Sequence, residues 1–198
     1  YLANMLAPAL SHQSHLATLV ADFAGLQGIE AFSVEAAGAT GGAALRMAYL
    51  AVASGSVDAA VAVGVEKMSD QTVSNVSAAE ATTTDADYEA EQGLTPTSQA
   101  ALLMRRYQHE FDTPPFAFAG FPLIAHANAA TNQHAMFQKA IKPELYQRVG
   151  MVSDPINLFD VAPTADGAAA VIVTRPELLP NDFGHPLVRI SSSSLVID

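Results

Sequence analysis

Apolar residues fall in short dense runs separated by turn-forming glycines. HQSHLATLVADFA, residues 12–24, spaces its apolar positions as a helix does, with Ser11 fitting an N-cap before it and Gly25 a C-cap behind it. Residues 30–36 read as a short strand, and the opening YLANMLAPAL as the end of another. ATGGAALRMAYLAVAS, residues 39–54, is apolar on every face and stops at Gly55, the pattern of a helix buried on most sides. DAAVAVGV, residues 58–65, is the apolar run of a strand covered on both faces. Strand, helix, strand with short connections predicts a right-handed βαβ crossover.

The pattern changes after Met68. Residues 71–99 are polar, acidic and rich in Thr and Ala, a surface excursion that no sheet position would tolerate. SQAALLMRRYQHEF, residues 98–111, restores helical spacing, and TPPFAFAGFP follows it. ADGAAAVIVT, residues 165–174, returns as a buried strand, and PLVRISSSSLVID, residues 186–198, reads as a final, more polar one. The α/β organisation expected is a first core over 1–70, an excursion over 71–150, a last strand region over 151–185, and the start of a further half from 186. Both ends look cut within strands.

Composition narrows the function classes. The chain has 198 residues, half of them hydrophobic, which is enough for one sizeable core. A net charge of −11 with nine basic residues argues against a nucleic-acid or anionic-membrane surface. Arg105, Arg106, Lys139, Lys142 and Arg148 lie in one middle stretch, the place where a phosphate-bearing ligand would find positive charge. With no cysteine there are no disulfides, thiolate metal sites or Cys nucleophiles. No apolar run reaches the ~18 residues of a membrane span and no basic leader opens the chain, so a cytoplasmic protein is expected.

VEAAGATGGAALRMAYLAVASGSVDAAVAVGVEKMSD resembles the nucleophile segment of the thiolases, in the branch of sterol-carrier-protein-type thiolases and archaeal acetyl-CoA acetyltransferases. Gly64, Glu66, Met68 and Ser69 match the family signature at the end of the following strand. HANAATNQHAMFQKAI and VSDPINLFDVAPTADGAAAVIVT resemble the family's stretch from the loop domain back into the last strand of its first half. The resemblance implies a layered αβαβα fold of which this chain is most of the first half. It also implies an acyltransferase of the acetyl-CoA C-acetyltransferase type, acting on the carbon–carbon bond next to a CoA thioester and needing no other cofactor.

In that family a strand delivers a Cys to a helix N-terminus, where amides and dipole favour the thiolate and stabilise an oxyanion. Gly38 stands at that position and keeps the amide without the sulfur. Two alternatives follow: a catalytically inactive acyl-CoA-binding scaffold or partner subunit, and a decarboxylase or aldolase that needs the oxyanion site but no acyl-enzyme. By the same resemblance His126 and Asn128 line the acyl-CoA pocket, an ordinary polar contact within that loop being the alternative; the clustered basic charge makes Arg105 and Arg148 the candidates for its phosphates, a solvated helix face being the alternative.

Other residues read as structural. His12 and His15 make a capping or surface pair with no third metal ligand, His185 is a turn residue, and Ser191–Ser194 are strand hydroxyls with no partnered base. The resemblance further implies a homodimer in which the strand near Phe32 to Ala36 pairs with its twofold mate; it carries no Lys or Pro to protect its edge. Phe32→Lys in the whole protein should therefore raise the dimer dissociation constant in sedimentation, and unchanged dimerisation would remove this strand from the interface.

Overall fold

In the computed structural model, which describes residues 1–196, the chain divides into two units. One comprises Tyr1–Ala79 and the segment from Thr164 onward, the other Glu80–Pro163.

The first unit is built on a mixed sheet. Strands β1 (Leu2–Ala3), β2 (Ser33–Val34), β3 (Ala59–Glu66) and β6 (Gly167–Thr174) lie in the order β2-β1-β3-β6. β1 runs parallel to β2 and to β3, while β6 pairs antiparallel with β3 along its full length. Helix α3 (Thr40–Ala53) therefore connects two parallel strands and steps over β1 between them, as the strand–helix–strand pattern predicts. Ala44, Ala48 and Val52 of α3 bury against Ala3, Ala60 and Ala62, with Val34 and Val173 at the margin. Contacts made by methyl groups let helix and sheet approach closely. Strand alternation turns Val61 and its cross-strand neighbour Ile172 to the opposite face, where they are exposed.

Four expectations need correction. The strand over 165–174, expected to be buried, is β6 and is exposed over residues 167–172. The helix over 12–24 is two helices, α1 (Ala7–Ser11) and α2 (Leu16–Phe23). His12 and His15 take left-handed conformations, φ 54° and 62°, which no continuous helix allows. Ser11 ends α1 instead of capping a helix, and its hydroxyl donates to the Ala7 carbonyl. Gly25 does follow the helix end with φ 71°. The strand over 30–36 shortens to Ser33–Val34 because its partner β1 offers only two residues. Residues 186–196 form no strand, since none of the sheet's strands pairs with them; the remainder of that predicted strand, 197–198, lies outside the described residues.

Asp166 ties the end of β3 to the start of β6. Its carboxylate accepts from the Met68 and Ser69 amides at 2.8 and 2.9 Å and from the Ser69 hydroxyl at 2.5 Å. Glu66, the last residue of β3, makes a similar tie, Oε1 accepting from the Met5 and Leu6 amides. These bonds start α1, whose Leu6 and Leu10 pack with Val76 and Ala79.

The second unit is helical, with one short hairpin. Helix α5 (Pro96–Phe111) starts at a reciprocal cap in which Thr95 and Ser98 bond each other's amides, two residues before the predicted start. Helices α6 (Gly120–Ala129) and α7 (Pro143–Arg148) follow, then the hairpin β4 (Met151–Ser153) and β5 (Ile156–Asn157). A further helix, α4 (Val73–Ala81), leads out of the first unit. Among the described residues no helix is long and apolar enough to cross a membrane.

The hydrogen bonds to Asp166, the Ser69 hydroxyl foremost, pull its carboxyl from 3.8 to about 2. A folded value below the unfolded one means that the stabilisation is present above pH 3.8 and is lost as pH falls through about 2. Asp166→Asn should lower the thermal midpoint at neutral pH, and the difference from the parent should close as both are scanned into acid.

Candidate functional site

β2 ends at Val34, and the chain then makes a tight turn before α3. Ala37–Ala39 form one 3-10 turn, closed by the Ala39 amide donating to the Ala36 carbonyl at 2.9 Å and the Thr40 amide to the Ala37 carbonyl. Two side chains complete it. Glu35 Oε1 accepts from the Ala37 amide at 2.5 Å, and Thr40 Oγ1 accepts from the Ala36 amide at 2.9 Å. The Thr40 hydroxyl donates in turn to the Ala37 carbonyl at 2.6 Å. This assigns every amide from Ala36 to Thr40 except that of Gly38, which has no acceptor among the described residues.

Gly38 is exposed at the head of the 14-residue α3, whose first amides lack intrahelical partners and carry the positive end of the helix dipole. An added Cβ would meet nothing within 4 Å, and the φ of Gly38 lies outside the left-handed region. The strained position is Ala37, φ 46°. The turn therefore does not use glycine's conformational freedom at 38, where a Cβ has room, and among the described residues it leaves the Gly38 amide without an acceptor.

The remaining predicted residues lie in the second unit. His126, on α6, is half-buried: its ring stacks on Phe137 at 6.4 Å between centroids and meets Phe159 edge-on at 5.5 Å. Its Nδ1 lies 3.2 Å from the Lys139 carbonyl, an acceptor only, so Nδ1 is the donor in that bond. Asn128 is exposed two residues further on. On a helix that spacing separates side chains by about 200°, so α6 does not bring His126 and Asn128 to one face. Arg105 is paired with the Asp154 carboxylate and Arg106 with Glu110. Lys139, Lys142 and Arg148 are exposed and form no ion pair among the described residues.

Sequence reasoning missed the network that fixes Phe159. Tyr146 is 2% exposed and donates to Asp160 at 2.9 Å, while Asp160 also accepts from the Asn157 amide at 2.9 Å. Asn157, 1% exposed, caps the 158–160 turn by accepting from the Phe159 amide at 2.8 Å. Burial and the Asp160 carboxylate push the Tyr146 hydroxyl up to about 12, which keeps it a donor. The signal was the spacing Tyr146, Asn157, Asp160 around a Pro-containing hairpin.

The family profile for the thiolase N-terminal domain matches residues 1–177. An acetyl-CoA acetyltransferase of Methanothermobacter thermautotrophicus is 43% identical over 178 residues, covering 90% of this chain and 46% of that protein. A 17-hydroxy-3-oxo-4-pregnene-20-carboxyl-CoA lyase of Mycobacterium tuberculosis is 30% identical over 164 residues, 78% of this chain and 42% of that one. Among solved structures, an Ltp2-ChsH2(DUF35) aldolase superposes with a TM-score of 0.65 at 27% identity, over 80% of this chain and 41% of that one. The chain spans about half the length of the curated acetyltransferases it matches.

Tyr146→Phe should cost about 1.5–3 kcal/mol in denaturant unfolding, the range for a hydrogen bond to a charged acceptor. The same change should broaden the Phe159 and His126 ring resonances in NMR spectra.

Proposed function

The chain belongs to the thiolase superfamily, and we propose that it contributes the oxyanion-binding turn to an enzyme acting on the carbon–carbon bond next to a CoA thioester. The observation that carries this is the Gly38 amide at the head of α3, which has no acceptor among the described residues and stands where a Cβ would meet nothing within 4 Å. A thioester oxygen placed there would be polarised by that amide and by the helix dipole, and negative charge developing on it would be stabilised. The relative of highest identity quoted above is named an acetyl-CoA acetyltransferase. In this reading Lys139, Lys142 and Arg148, which form no ion pair among the described residues, are the second unit's candidates for acyl-CoA phosphates, Arg105 is a further one if phosphate replaces Asp154, and His126 and Asn128 are each candidates for the pantetheine or acyl portion. A homodimer through β2, and a partner subunit, belong to the same proposal.

A second reading is favoured by the missing side chain at 38. Acetyl transfer by the family route needs a nucleophile to carry the acyl group, whereas an aldol cleavage needs only stabilisation of the enolate. Relatives named as a lyase and aldolases fit that chemistry. In it a 3-hydroxyacyl-CoA loses its hydroxyl proton, the bond between C2 and C3 breaks, the new carbonyl compound leaves, and the thioester enolate takes a proton at C2. Electrons balance without an oxidant.

The whole protein incubated with acetyl-CoA should gain no acetyl mass on the peptide 33–46, because Thr40 holds the one hydroxyl in the turn and that hydroxyl is committed to Ala37. Release of a shorter acyl-CoA from a 3-hydroxyacyl-CoA would select the second reading. Acetylation within 33–46 would overturn the assignment of Gly38, and CoA binding without turnover of either substrate would leave the scaffold.

A further inference from the structure

The turn holds a strained alanine, and the strain has an identifiable keeper. Ala37 sits at φ 46°, a conformation that L-residues with a Cβ avoid unless the surroundings impose it. Glu35 and Thr40 impose it from the two sides, but they are not equivalent. Glu35 is exposed, so water competes for its bond to the Ala37 amide; Thr40 is 5% exposed, so its hydroxyl has no such competitor.

The geometry of one peptide unit gives the Thr40 bond its consequence. The Ala37 carbonyl and the Gly38 amide belong to the same planar trans peptide, so their C=O and N–H point in opposite directions. The Thr40 hydroxyl donates to that carbonyl at 2.6 Å, and the Thr40 amide donates to it as well. Holding the oxygen inward against α3 turns the Gly38 N–H outward. A carbonyl that accepts hydrogen bonds also makes the N–H of its own peptide a stronger donor. The hydroxyl simultaneously accepts from the Ala36 amide at 2.9 Å, which anchors the preceding residue.

We propose that Thr40 is a positioning residue whose hydroxyl locks the Ala37–Gly38 peptide plane and so aims the Gly38 amide at the substrate oxygen. This rests on the reading of the turn given above. Without the hydroxyl, Ala37 can relax toward the right-handed region, and the peptide plane rotates with it.

The test uses Gly38→Cys in the whole protein as a reporter, since the added Cβ meets nothing within 4 Å. A thiol at this position reads the field of the same turn, and the pH–rate profile of its alkylation by iodoacetamide gives its titration. Thr40→Ser and Thr40→Ala both lose the γ-methyl and differ only in the hydroxyl; Thr40→Val keeps the volume and serves if Thr40→Ala does not fold. With Ser the profile should match the parent reporter within about twofold, while Ala or Val should slow alkylation at neutral pH about tenfold by raising the thiol's midpoint about one unit. Equal profiles for Ser and Ala, or for the parent reporter and Val, would overturn the role of Thr40 while leaving the turn as the site. A thiol no more reactive than free cysteine when Thr40 is intact would overturn the reading of the turn itself.

Discussion

The architecture of the first unit rests on the close approach of α3 to the sheet. Ala44 and Ala48 face Ala3, Ala60 and Ala62, so the spacing between layers is set by methyl groups. A larger residue at any of these positions would lift the helix and carry its N-terminal turn with it, because cores of this density transmit small volume changes. The same alanines explain why the helix looks apolar on every side: they are chosen for size on the sheet face, while Met47 and Leu50 remain on the exposed face.

Much of this was legible in the sequence, and the misses have physical causes. The strand–helix–strand core and the stops at Gly25 and Gly55 followed from periodicity and from glycine's tolerance of positive φ. The split between α1 and α2 was hidden because two histidines occupy left-handed positions, for which composition gives no warning. The extent of β2 was overestimated because strand length is a property of the pair, and β1 pairs over two residues only. A final strand was expected from PLVRISSSSLVID, but β-propensity without a neighbouring ladder makes no sheet.

The candidate site divides in the same way. The position of Gly38 in a strand-to-helix turn was readable from VEAAGATGG, whereas the amide left free there depends on bonds made by Glu35 and Thr40 that no spacing rule encodes. His126 and Asn128 looked like neighbours in HAN; α6 separates them because their segment is a helix and not a loop. In the second unit the restraint on His126 comes from Phe137, Phe159 and the Lys139 carbonyl, with Tyr146 and Asp160 behind Phe159. Nδ1 thereby has a fixed partner and the ring a fixed plane, which a histidine on a solvated helix face would lack.

The contrast between residues 37 and 38 bears on what the turn is for. If glycine had been required at 38 by backbone geometry, its presence would say nothing about chemistry. The left-handed residue is Ala37, and position 38 has both ordinary φ and room for a side chain. The turn holds strain at an alanine, commits a buried hydroxyl to holding it, and leaves the neighbouring amide without an acceptor among the described residues. Packing gives no reason for such an arrangement, since the close contacts of α3 with the sheet are made further along the helix, by Ala44, Ala48 and Val52. Under the proposed function an acceptor brought by a ligand would give one, and a thioester oxygen that gains negative charge during the reaction is the acceptor for which a preoriented amide is worth most.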